Sequence, residues 1–248
     1  MNNRLLAVGI ILCIVSLAFI GTVQAQTITP GVRPGMVFDY HLSSNWSSSD
    51  PYDSVPQDLV IVNQTSHVEI RISEVNSTHV TTANICYFHD GTSTLDRGAI
   101  NLYTGEVTNL QASGSYGFAA IIGANLNVGA RIHPNGDDTL TILDTATRNY
   151  ESGARTTNHV RITDNNQESG YIGTRDLYFD KETGILVEQV DKTETTTTPS
   201  SVVKITWKLD SVIGADNWVV PEFPVLTVVP LLLAAIAFAT IVYKKKSK

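Results

Sequence analysis

Six histidines, two cysteines and 24 carboxylates are the side chains of this 248-residue chain that could carry acid–base, nucleophilic or metal chemistry. Their spacing assembles no standard constellation. His41, His67, His79, His89, His133 and His159 stand singly, without the His-Glu-x-x-His pattern that lets one helix face present two imidazoles to zinc. Gly114-Ser115-Tyr116-Gly117 is out of register by one residue with the Gly-x-Ser-x-Gly elbow of serine hydrolases. A glycosidase needs two carboxylates about 5–10 Å apart. With 23 acids between the chain ends, such pairs arise by accident. His89-Asp90-Gly91 reads as a turn rather than an acid–base pair, because Asp-Gly forms turns strongly. Asp137-Asp138 and Asp164-Asn165-Asn166-Gln167-Glu168 are oxygen-rich, yet neither fits the 12-residue calcium loop. Cys86 sits in the strand-like run Asn84-Ile85-Cys86-Tyr87-Phe88 and reads as a buried thiol. Cys13 lies in an N-terminal apolar stretch, so Cys86 has no partner for a disulfide in the mature domain. No catalytic residue, metal ligand or cofactor is assigned, and the reading leans away from an enzyme.

The elements that would position such groups are strands. His67–Ile72 puts Val68, Ile70 and Ile72 on one face, and Val203, Ile205, Trp207 and Leu209 share another. Leu177–Asp180, then Lys181-Glu182-Thr183-Gly184, then Ile185–Glu188 reads as a hairpin in which Gly184 supplies the positive φ. Thr104-Gly105 repeats the device, and Asp90-Gly91 and Asn135-Gly136 are further turn signals. About ten to twelve short strands are expected over 26–212, with almost no helical period. Phe118–Leu126 reads as a short helix or a buried strand. Ser66-His67-Val68 and Asn158-His159-Val160, each with a Thr-Gly hairpin downstream, form a weak internal echo better explained by generic hairpin chemistry than by duplication. The fold expected is an all-β domain, a curved antiparallel sheet or half-barrel, with a two-sheet sandwich as the alternative.

The near-zero mean hydropathy of +0.02 hides two apolar ends. Residues 1–25 read as a signal peptide: Arg4, an apolar stretch Leu5–Ile20, and Val23-Gln24-Ala25 before the cleavage point. Residues 225–243 carry no formal charge and would span about 28 Å as a helix, close to the roughly 30 Å of a hydrocarbon core. Trp218 and Tyr243 flank this span, and Lys244, Lys245, Lys246 and Lys248 follow, which places that end in the cytoplasm. The expected location is the cell membrane with the β-domain outside. Between the ends stand 23 acids against 12 bases, a net charge of −11 where the whole chain has −7. That acidity excludes a nucleic-acid partner. Sequons at Asn45, Asn63 and Asn76, each beside an expected turn, agree with an exterior location.

Pro221-Glu222-Phe223-Pro224 in the linker 213–224, followed by the span and the basic tail 244–248, resembles the PEF-type C-terminal signal of archaeal surface proteins. The resemblance implies membrane anchoring and, in some members, processing by an archaeosortase-like transpeptidase. Here retention of the tail is expected. The hairpin at 180–187 is similar to one in bacterial lipoprotein carriers, and the strand Gly35–Tyr40 to the opening strand of archaeal surface domains. The first likeness implies a curved sheet around an apolar cavity, lined here by Phe38, Phe118, Ile121 and Trp207. The main expectation is a non-enzymatic surface protein with a binding or envelope role. The alternative is a carrier-like domain holding an apolar ligand, and a surface hydrolase is the third reading.

Overall fold

A computed structural model describes residues 27–111, 120–166, 170–195 and 198–214. The signal segment 1–25, Phe118, and the linker, span and tail from residue 215 onward lie outside them. The compact unit ends at Gly214. Among the described residues no helix is long and apolar enough to cross a membrane.

Ten strands form one antiparallel sheet: β1 Val37–Ser48, β2 Thr65–Val75, β3 His79–Phe88, β4 Ser93–Asn101, β5 Val107–Gln111, β6 Asp144–Tyr150, β7 Gly153–Asn166, β8 Tyr171–Asp180, β9 Leu186–Thr195 and β10 Ser201–Ile213. Their order is β5-β4-β3-β2-β1-β10-β9-β8-β7-β6. Two meanders are therefore joined by the pairing of the first strand with the last. That pair runs from Val37 opposite Ile213 to Ser48 opposite Ser201, with a bulge between Asp39 and Tyr40. The sandwich alternative falls here, because β10 continues the first meander's sheet instead of starting a second one. The sheet is open, with β5 and β6 at its edges.

Alternation sets the core face. Phe38 lies opposite Ile70 and Tyr40 opposite Val68 on one side, and Tyr40 opposite Leu209 on the other, all buried. The Tyr40 hydroxyl donates to the Leu186 carbonyl at 2.7 Å, which satisfies a polar group that is otherwise wholly enclosed. Burial pushes that phenol far above its ordinary pKa.

The connection between β5 and β6 is neither the short helix nor the strand expected at 118–126. From residue 120 it is irregular, with isolated bridges from Ile121 to Ile185 and from Arg131 to Thr141. Ile121, Ile122, Ala124 and Leu126 are all buried, a run with no two-residue alternation. Their backbone groups bond to the ends of other elements: Ile122 N to Gly184 O at 2.9 Å, Asn125 N to Lys181 O at 2.7 Å, and Leu186 N to Ala120 O at 2.7 Å. The segment thus packs its side chains with the core and docks on the β8–β9 turn. Gly184 permits this twice over, with φ of +74° and with Ile122 O only 2.2 Å from where a Cβ would stand. Gly91 and Gly105 also take positive φ, in the β3–β4 and β4–β5 turns.

One element departs from the all-strand expectation. Helix α1, Gln57–Gln64, follows Pro56 and buries Leu59. Pro immediately before a helix is tolerated because the first N–H groups have no intrahelical acceptor.

Candidate functional site

The densest polar arrangement lies on the face opposite the core, across β6 to β10. Strand register aligns Asp144, His159, Tyr178, Glu188 and Lys208 in one transverse row. His159 is only 8% exposed. Its Nδ1 lies 2.9 Å from Asp144 Oδ2 and its Nε2 2.8 Å from Asp176 Oδ1. Both contacts are hydrogen bonds when the ring carries a proton on each nitrogen, since ionised carboxylates only accept. Arg161 Nε donates to the same Asp176 oxygen at 2.6 Å. Burial pushes the Asp176 pKa up, but the hydrogen bonds from Arg161 and His159 outweigh it and hold the carboxyl below its ordinary range.

Tyr178 stacks on the His159 ring, centroids 4.7 Å apart at 13°. The Arg148 guanidinium carbon sits 3.9 Å from the centre of the Tyr178 ring. Arg148 Nη2 donates to Glu188 Oε2 at 2.8 Å, and the Tyr150 hydroxyl reaches the same oxygen at 3.3 Å. Burial, then the Glu188 charge, raises the Tyr150 pKa strongly. Lys208 Nζ stands 5.6 Å from the Tyr150 ring centre. In a flat sheet β6 and β9 would lie about 14 Å apart, so these contacts require β6 to fold across the face of its neighbours.

Chemically the cluster is closed. Neither ring nitrogen of His159 is left to face a substrate, and Glu188 is occupied by two donors. The arrangement braces an edge strand and holds its charges in pairs.

A second knot lies in the crossing segment. His133 Nδ1 contacts Asp138 Oδ2 at 2.6 Å, and the ring packs against Gly105, whose Cβ would fall 2.6 Å from Nδ1. Asn135 N bonds to Tyr103 O at 2.9 Å, tying this loop to the β4–β5 turn. The Asn135-Gly136 signal marks a turn, flanked by the antiparallel bridge between Arg131 and Thr141. Asp138 is thereby committed, and no group of three His, Cys, Asp or Glu side chains able to hold a metal occurs among the described residues.

No protein-family profile matches the chain. No curated protein matches it either. A solved structure from Parabacteroides distasonis ATCC 8503, provisionally described as a lipoprotein, is similar at 10% identity, with 76% of this chain and all of that one covered and a TM-score of 0.41.

Phe38 and Ile121 are fully buried core residues on the described face, and Trp207, opposite Leu42 and Gln189, shares that face and is half-buried. Asn45 is exposed within β1 and Asn63 is exposed in α1. Asn63 Oδ1 accepts from the Ser44 hydroxyl at 2.7 Å. Asn76 is in the β2–β3 turn, its Oδ1 accepting from the Thr78 and His79 backbones. Cys86 is half-buried on β3, and burial pushes its thiol pKa up, away from the thiolate a nucleophile needs. Asp90 accepts from Thr92 N at 2.8 Å, the bond of a turn.

The echo between the halves is partial. His67 stacks on Tyr87 at 4.4 Å just as His159 stacks on Tyr178, each pair across the same kind of strand neighbour. The Thr-Gly turns, however, follow β4 in one meander and β8 in the other, which would be one strand out of step in a duplication. Sequence reading missed Arg148, Asp176, Tyr178 and Glu188 as a group. Only the register brings them together, and their signal in the sequence was limited to polar positions alternating with core positions on β6 to β9.

Proposed function

We propose that the chain is a single-pass, membrane-anchored surface protein whose β-domain stands outside and serves a binding or envelope role. The observation that carries this reading is the uncharged run 225–243 closed by Lys244, Lys245, Lys246 and Lys248, behind a domain of net charge −11. Residues 1–25 direct export of the domain and are then removed. The PEF-like motif Pro221–Pro224 and the span hold it, with the tail retained and an archaeosortase-like enzyme as the processing partner should cleavage occur. A binding role is favoured over turnover because the titratable groups that cluster are bonded to one another. Terminal-peptide mass spectrometry of the native protein tests the reading at both ends. The expected mature chain begins at Gln26 and ends at Lys248. Recovery of Met1 would give an N-terminal anchor, and a chain ending near Phe223 would give a processed tail.

A further inference from the structure

The solvent-facing side of β2, β3 and β4 holds a groove of about 490 Å³ whose charged lining residues are Arg71, Arg97 and Glu74. Register places Arg71, Ala83 and Arg97 in one row across these strands. The two arginine backbones are about 10 Å apart, two strand spacings, and the small alanine leaves the gap between them open. The adjoining row holds Glu69, which bonds to Arg71, and then an apolar floor of Ile85 and Leu95, with Leu95 40% exposed. Glu74 lines the opposite rim.

The pairing of the other arginines makes this groove distinctive. Arg148, Arg155, Arg161 and Arg175 are bonded to carboxylates, and Arg33 and Arg131 to backbone carbonyls. Arg71 is bonded to Glu69 but keeps 51% of its side chain exposed. Arg97 alone among the described arginines has neither a carboxylate nor a carbonyl partner, although acids outnumber bases 23 to 12 between the chain ends. Arg71 and Arg97 both line this groove, and a guanidinium fork matches the planar, two-oxygen geometry of a carboxylate. The exposed Leu95 and Ile85 suit an apolar body attached to it.

We propose that this groove binds an organic carboxylate, its oxygens held by Arg71 and Arg97 and its apolar body laid over Ile85 and Leu95. The site gives the binding role above a ligand class and rests on that reading only for its setting outside the cell. The test is ligand-observed fluorine NMR on the full chain in zwitterionic nanodiscs, with 4-fluorobenzoate, 4-fluorobenzyl alcohol and 4-fluorobenzylamine. The benzoate signal broadens with wild type and the other two do not. Arg97→Gln weakens binding at least tenfold at unchanged Tm. Ala83→Leu, which keeps both charges and fills the gap, does the same. Equal broadening by the alcohol, no broadening by benzoate at millimolar concentration, or Arg97→Gln within twofold of wild type overturns the site. Each of those failures leaves the topology of the chain, which is measured separately, intact.

Discussion

At the scale of single residues, His159 shows how a side chain with catalytic credentials becomes structural. Its two ring nitrogens are taken by Asp144 and Asp176, and its face by Tyr178. The sequence made His159 visible and nothing more, because the partners come from the two neighbouring strands, β6 and β8, and depend on a register that spacing alone does not specify. Asp176 is the sensitive member. Its pKa in the folded state lies below the roughly 3.9 of an unfolded aspartate. The stabilisation it contributes is therefore complete above that value and is lost as pH falls through the folded pKa. Asp176→Asn should cost about 1.5–3 kcal/mol at pH 7, the range for hydrogen bonds to charged groups. The deficit should shrink in thermal melts taken progressively below about pH 4. A deficit that stays constant down to pH 2 would mean that the carboxylate charge is not what braces β6. Gly184 is the complementary case, legible from Thr-Gly in a hairpin but with a second role hidden. Gly91→Ala should cost about 1–2 kcal/mol, the strain of a left-handed conformation, since nothing crowds its Cβ position. Gly184→Ala must also displace Ile122 O and should cost clearly more. Equal losses of Tm would show that the crossing segment is not held at that turn.

At the scale of elements, alternation proved a good guide and irregularity a poor one. Val68, Ile70 and Ile72 do face the core, and the hairpins at 102–105 and 181–184 are present. The crossing segment defeated a periodicity argument because residues 121–124 are buried consecutively while backbones in the segment bond to strand ends and turns. Helix α1 escaped for a different reason: eight residues are too few for its period to stand out beside strands of the same length. The sandwich alternative could not be dismissed from sequence, since only the β1–β10 pairing decides between one sheet and two. That pairing predicts a gradient of local stability. Amides of β1 and β10, central in the sheet, should exchange with deuterium most slowly, and those of the five-residue edge strand β5 fastest. Protection of β5 equal to that of β10 would mean that this edge is covered by another chain in solution.

At the scale of the whole molecule, charge and hydropathy are segregated along the chain. Apolar runs lie at both ends, lysines close the C-terminus, and an acidic ten-stranded sheet stands between. The compact unit ends at Gly214, ten residues before the apolar run, which in the proposed topology is a short tether. Low charge density in the whole chain, 17% against about 25% in ordinary soluble proteins, is thus an average over two apolar ends and an acidic middle. The account stands on the orientation of that tether. Labelling intact cells with a membrane-impermeant maleimide tests it directly, using Ser77→Cys in the exposed β2–β3 turn and Ser247→Cys among the tail lysines, with the half-buried Cys86 of wild type as background. The account predicts labelling at position 77 on intact cells and at position 247 only after lysis. Labelling of position 247 on intact cells, or protection of position 77, would contradict it.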